Sequence, residues 1–139
     1  MYQKLTDYFK DRSVLILGFG KEGQSTYNFI RRFYPDKQIA IADKRELKID
    51  DPNVTLITGD AYLDHINDFD MVMQSPGISL RSVKICKKTE ITGQMDLFLR
   101  FAECTKIGIT GTKGKTTTTT LIYNIVKASG RKCALIGNI

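Results

Sequence analysis

Residues 108–117, Gly-Ile-Thr-Gly-Thr-Lys-Gly-Lys-Thr-Thr, put two glycines, a lysine and a hydroxyl at the mouth of an apolar-faced helix. That is the chemistry of a triphosphate cradle. Gly111 and Gly114 let the backbone approach an anion with no Cβ in the way, and the amides of Thr112 and Lys113 can turn into the same concavity. Lys115 adds a point charge and is the candidate catalytic residue. Thr116 can offer its hydroxyl to a Mg²⁺ bridging the terminal phosphates, and Thr117 continues the helix start, whose positive dipole end faces the same point. Hydrogen bonds to charged groups contribute about 1.5–3 kcal/mol each, against roughly 0.3–1 kcal/mol for an exposed helix dipole, so amides and lysine dominate. The general nucleotide-loop spacing fails by one residue, since four intervening residues before Gly114 would put the first glycine at position 109, which is Ile109. A tighter variant stands instead, directly after an apolar strand expected at Lys106–Thr110. Thr116 to Thr120 are five consecutive β-branched residues, poor in a helix interior but able to cap free amides at its start.

A second anion signal lies near the beginning. Gly18-Phe19-Gly20-Lys21-Glu22-Gly23 fits Gly-x-Gly-x-x-Gly between a strand and a helix, and Asp43 closes the next strand where such folds contact a ribose or base. NAD is one natural ligand of that pattern, and another diphosphate fits it as well. Lys44 and Arg45 add positive charge where an NAD site has little, which favours a differently charged ligand. Ser75-Pro76-Gly77-Ile78 follows a further strand, so its amides and the Ser75 hydroxyl can face the same edge.

The elements that must hold these turns alternate along the chain. Ser13–Leu17, Gln38–Ala42, Val54–Ile57 and Met71–Met73 read as strands, with a helix from the glycine turn to about Phe33 and a short one possible at Ala61–Ile66. Leu80–Lys88 and Gln94–Ala102 read as further helices. The expected fold class is α/β: a Rossmann-like parallel sheet covered by helices over residues 1–93, then, over 94–139, the first strand-helix-strand unit of a P-loop ATP-binding domain. The apolar residues of that unit, among them Ile107, Leu121, Ile125 and Ile136, require cover from the first domain, a partner chain or self-association.

Composition narrows the class. With 42% hydrophobic and 26% charged residues the chain is ordinary globular material, with neither an apolar leader nor a membrane-length segment, so a cytoplasmic protein without a membrane partner is expected. Cys86, Cys104 and Cys133 are too scattered for a disulfide framework or a zinc site and are expected as reduced, mostly buried thiols. The net charge of +6 is spread in pairs such as Arg31-Arg32 and Lys87-Lys88 without interleaved aromatics, which argues against nucleic acid. His65 has no catalytic companion and reads as a surface residue.

Taken in order, the early glycine turn, Ser75-Pro-Gly-Ile78, Gly108–Thr117 and the closing Gly137-Asn138-Ile139 resemble the Mur ligases of peptidoglycan synthesis, and within them the D-glutamate-adding members. The resemblance runs over essentially the whole chain but only over the front part of the family's three-domain enzyme. It implies that Gly18–Gly23, Asp43–Arg45 and Ser75–Gly77 hold the UDP part of UDP-N-acetylmuramoyl-L-alanine, with Asn138 near the muramoyl or phosphate groups. It further implies that Gly111–Thr117 hold ATP and Mg²⁺. Lys113 stands where this loop commonly has asparagine. The implied reaction activates the substrate carboxylate as an acyl phosphate, which the D-glutamate amine then attacks. The D-glutamate site would lie beyond Ile139, so these 139 residues alone are expected to bind nucleotide without ligating. An NAD-dependent oxidoreductase and a non-catalytic nucleotide-sensing or nucleic-acid-binding module are the other classes; the first leaves the later loop unexplained and the second predicts steep salt dependence.

Overall fold

The computed structural model describes residues 2–137, and Asn138 lies outside them. The chain divides into two compact units, residues 1–102 and 103–139. The division therefore lies beyond Gly93, because the helix that follows Gly93 packs within the first unit.

The first unit contains α1 (Tyr2–Lys10), β1 (Val14–Leu17), α2 (Lys21–Phe33), β2 (Ile39–Asp43), β3 (Val54–Thr58), β4 (Met71–Gln74), β5 (Glu90–Thr92) and α3 (Gln94–Phe101). Its five strands form one sheet in the order β3-β2-β1-β4-β5, with every neighbouring pair parallel. β1 is central and wholly buried, which is why Val14-Leu-Ile-Leu17 is apolar at every position rather than alternating. Leu15 pairs with Ala40 on one side and Val72 on the other.

The two faces of the sheet are covered differently. Val14, Ile16, Ile39, Ile41, Met71 and Met73 meet the helices through Phe9 of α1, Ile30 of α2 and Leu97 of α3. Leu15, Leu17, Ala40, Ala42 and Val72 face the other way, onto Ile66 and the partly buried Tyr62, Leu80, Val83 and Ile85. That second face is covered by irregular backbone, and the helix expected at Leu80–Lys88 does not form. Leu80, Val83 and Ile85 still turn inward, but from turns and irregular backbone. At Ala61–Ile66 the chain makes turns and then a single 3₁₀ turn, Ile66–Asp68, with His65 exposed just before it.

Glu90 at the start of β5 ties the edge of the sheet to both flanking helices. Its carboxylate lies 2.6 Å from Arg12 Nη1 and 2.5 Å from Arg100 Nη1, and Arg100 also reaches Asp96 at 2.7 Å. The Tyr8 hydroxyl above all, then Arg100 and Arg12, pull the Glu90 pKa from 4.5 down to about 2. A depressed carboxylate contributes stability that is complete above its unfolded pKa and is lost as pH falls through the folded one. Glu90 therefore stabilises the unit above about pH 4.5, and this contribution disappears towards pH 2. Glu90→Gln should lower the Tm at pH 7 by roughly 5 °C, a surface-screened network's share, and flatten the acid limb of the Tm–pH profile. An acid limb identical to that of the unsubstituted chain would contradict this.

The second unit contains α4 (Lys115–Ala128), and residues 103–114 and 129–137 form neither helix nor strand. The strand expected at Lys106–Thr110 is absent, and so is the one that would close the strand-helix-strand unit near Leu135 and Ile136. A strand exists through its ladder partner, and among the described residues no segment of this unit supplies one. α4 accordingly buries no residue, and Leu121 and Ile125 are 58% and 61% exposed. The thiols of Cys86, Cys104 and Cys133 are exposed as well, contrary to the buried positions expected of them. Among the described residues no helix is long and apolar enough to cross a membrane.

Candidate functional site

Because all five strands run the same way, the turns after β1, β2, β3 and β4 emerge at one edge of the sheet. Connections leave β1 towards β2 and β3 on one side and later reach β4 on the other, which opens a crevice where the winding direction reverses. A cavity of about 400 Å³ occupies that edge. It is lined by Gly18, Gly20, Lys21 and Glu22 after β1, by Asp43, Lys44 and Arg45 after β2, and by Ser75, Pro76, Gly77 and Ile78 after β4. Three segments singled out separately from sequence thus converge on one hollow.

Within the glycine turn the residues divide by task. Gly18, at φ +90°, donates its N–H to Ala42 O at 2.7 Å, and a Cβ there would stand 2.8 Å from both Ile78 Cδ1 and Ser75 Oγ. Gly23 lies flat against the turn: its Cβ would fall 2.0 Å from the Gly18 carbonyl oxygen. Gly20, in contrast, lines the cavity and has nothing within 4 Å of where a Cβ would be. The Phe19 N–H donates to Asp43 Oδ2 at 2.8 Å and its ring packs on Tyr27, so neither Phe19 nor Gly23 lines the hollow. Both hold its shape. The amides free to meet an anion are those of Gly20 and the first turn of α2, Lys21, Glu22 and Gly23, which have no acceptor among the described residues. Glycine at the N-cap leaves the helix start without a capping side chain, so these donors stay open to a ligand.

Asp43 is bound on every side. Besides the Phe19 amide it accepts from Arg45 N–H at 2.9 Å, Arg45 Nε at 3.0 Å and Arg45 Nη2 at 2.9 Å. The Arg45 guanidinium, then the two backbone amides, hold its carboxyl far below the usual carboxylate range. Asp43 is 9% exposed and Arg45 67%, so the carboxylate is consumed internally while the guanidinium plane is held out beside the cavity. Ser75 closes the other wall: its N–H donates to Leu17 O and its hydroxyl to Gly18 O at 3.2 Å, joining the β4 turn to the glycine turn. The sequence reading missed Tyr62, a lining residue contributed by the turn after β3. The available signal was positional, since any turn at this end of a parallel strand belongs to the same edge.

In the second unit Gly111 has φ +149° and Gly114, the N-cap of α4, φ +76°. A Cβ at Gly114 would meet nothing, and at Gly111 only the Lys113 carbonyl oxygen at 3.6 Å. Lys115 Nζ donates to Gly111 O at 2.6 Å across the turn. The first helical N–H with an acceptor is that of Thr118, to Gly114 O, which leaves those of Lys115, Thr116 and Thr117 open. Thr112, Lys113 and these three residues are all exposed. Open amides, one ammonium and a hydroxyl are a donor set that suits a polyphosphate with its Mg²⁺. Among the described residues no cluster of His, Cys, Asp and Glu could hold a metal without such a ligand.

Residues 12–94 match the family model of the Mur ligase MurD-like N-terminal domain. The UDP-N-acetylmuramoylalanine–D-glutamate ligase of Clostridium kluyveri is 32% identical over 152 aligned positions, covering 99% of this chain and 32% of the relative. Ligases of the same name from Acetivibrio thermocellus and Clostridium botulinum are 33% and 28% identical, covering 100% and 99% of this chain and 33% and 32% of theirs. The chain spans about a third of the length of the curated relatives it matches.

Proposed function

Since the chain belongs to the Mur ligase family with a MurD-like N-terminal domain, we propose that it serves peptidoglycan synthesis as the nucleotide-binding front of an ATP-dependent ligase. The reaction is addition of D-glutamate to UDP-N-acetylmuramoyl-L-alanine. The observation that carries this reading is the cavity of about 400 Å³ at the edge of the sheet, where the three sequence segments meet open amides and a preset guanidinium.

In this reading the UDP diphosphate lies against the amides of Gly20, Lys21 and Glu22 and the Lys21 ammonium, with Gly23 packed beneath the turn. Gly18, Phe19 and Ser75 keep the hollow open, and Asp43 and Arg45 form its wall on the β2 side. Asn138 is proposed near the sugar or phosphates on the family resemblance alone. Gly111, Thr112, Lys113 and Gly114 would cradle ATP, with Lys115 against the phosphate charge and the Thr116 hydroxyl on Mg²⁺. ATP supplies the phosphoryl group that activates the substrate carboxylate. Lys115 would leave its resting partner Gly111 O to meet the nucleotide, and the ammonium offsets charge developing on the transferred group. Thr117 N–H adds a donor from the first turn.

The internal pairing of Asp43 weighs against an NAD-dependent oxidoreductase, whose ribose needs a free carboxylate at the end of the second strand. Calorimetric titration of this chain separates the readings. UDP-N-acetylmuramoyl-L-alanine should bind saturably and NADH should not; tight NADH binding with no response to the UDP sugar would overturn the assignment. ATP with Mg²⁺, titrated on the chain and on Lys115→Ala, tests the later loop: the substitution should weaken binding about tenfold or more. The 139 residues alone should show no D-glutamate-dependent ligation.

A further inference from the structure

We propose that Tyr62 forms the aromatic wall of the nucleobase end of the cavity and thereby distinguishes a nucleoside diphosphate from a bare diphosphate. The inference rests on the UDP reading above and goes beyond it by fixing which way the ligand lies.

The sheet order sets out the edge as a row: Tyr62 after β3, Asp43–Arg45 after β2, the glycine turn after β1, Ser75–Ile78 after β4. Neighbouring strands stand about 4.8 Å apart, so the row is roughly 14 Å long. The anion end of any ligand is pinned near β1, where the unpaired amides of α2 begin. The remainder must then extend towards β4 or towards β2 and β3. On the β4 side the wall is a Pro76-Gly77 turn, with the Gln74 side chain already donating to Ile78 O at 2.6 Å. That side offers no ring. On the other side stand the exposed Arg45 guanidinium, held flat by two bonds to Asp43, and the Tyr62 ring.

Tyr62 is suited to the task by how it is held. It is half-buried, packed against the buried Leu15, Leu17, Ala42 cluster, and its N–H is bonded to Gly59 O, so ring and backbone are anchored from below. Its hydroxyl has no partner among the described residues. An anchored ring bordering a cavity presents a surface that a planar base can cover at little entropic cost, and loss of such a contact commonly weakens binding about tenfold.

The test compares two probes, UDP and inorganic pyrophosphate, by NMR-monitored titration of the full 139-residue chain and of Tyr62→Leu and Tyr62→Phe. Leucine keeps the apolar packing, and the thermal melt of each variant checks the fold. Tyr62→Leu should bind UDP about tenfold more weakly and pyrophosphate unchanged, while Tyr62→Phe should stay within about threefold of the parent for both. Unchanged UDP affinity in Tyr62→Leu would overturn the inference and leave the UDP reading standing. Parallel loss of both probes, or equal UDP loss in the Phe and Leu variants, would also overturn it. Failure of the parent chain to bind UDP at all would remove the UDP reading and this inference with it.

Discussion

Gly23→Ala should unfold the first unit at a temperature at least about 12 °C below that of the parent, while Gly20→Val should melt normally and lose the UDP ligand. Both residues belong to one Gly-x-Gly-x-x-Gly turn, yet their surroundings are opposite. A methyl group at position 23 would sit 2.0 Å from the Gly18 carbonyl oxygen, and also 3.3 Å from Ile16 Cγ2. The obstructing atom is backbone, fixed by the Gly18 N–H bond to Ala42 and by the Ser75 hydroxyl on that same carbonyl. α2 would have to lift from β1, taking Ile30 out of the core. Overpacking of this kind costs about 3 kcal/mol or more, and in a unit of this size 1 kcal/mol moves the Tm by roughly 4–8 °C. Gly20 has extended backbone at φ −81°, ψ −160°, which any residue adopts, and nothing stands within 4 Å of its missing Cβ. Valine there adds bulk at a position that lines the cavity, beside the open amides. UDP affinity should fall about a hundredfold, the loss of one or two charge-assisted hydrogen bonds, with the Tm shifted by no more than about 3 °C. Thermal melts and a UDP titration of the two variants decide it; a Gly23→Ala protein with the parent's Tm would contradict the packing argument.

The same contrast explains what could be read from the sequence. Short-range features were legible: the apolar run Val14–Leu17 ending at a glycine, the strand closing on Asp43, the Ser75-Pro-Gly77 turn. Each is a local pattern whose meaning does not depend on distant residues, and the parallel topology then brings all three to one edge. What failed depends on neighbours in space. β5 is three residues at the sheet's border, too short to show a period, and exists because Met71–Met73 offers it a ladder. Leu80 and Val83 have helical spacing, but the second face of the sheet takes them from irregular backbone. Lys106–Thr110 has a strand's composition and no ladder partner among the described residues. Asp43 shows the limit most sharply. Its position at the end of β2 was read correctly, but its role was not legible, because Arg45 and the Phe19 amide occupy both of its oxygens.

Arg31 carries the other large effect, since one guanidinium closes the joint between α2, β2 and β3. It is 15% exposed; its Nε lies 2.5 Å from Asp51 Oδ2, Nη1 donates to Lys37 O at 2.8 Å, and Nη2 to Asn53 O at 3.0 Å. Asp51 in turn accepts from the Tyr27 hydroxyl at 2.7 Å and the Asn53 N–H at 2.9 Å, which sets the turn that leads into β3. The three shortest bonds run in three directions, with a longer fourth from Nη1 to Tyr34 O at 3.4 Å, and match the planar fork of arginine and no other side chain. Arg31→Ala orphans the Lys37 carbonyl, at about 1 kcal/mol, removes one of the two donors of the Asn53 carbonyl, which keeps the Ile39 N–H, and leaves the Asp51 charge with neutral donors only. The Tm should fall by about 10–15 °C. Arg31→Lys restores a charge near Asp51 but can serve only one of the three directions well, so it should recover less than half of that loss. Because β3 is the strand whose following turn carries Tyr62, the alanine variant should also weaken UDP binding more than pyrophosphate binding, even at temperatures where the unit remains folded. Full rescue by lysine, in Tm and in UDP affinity alike, would show that charge alone holds this joint and that the fork geometry does not matter.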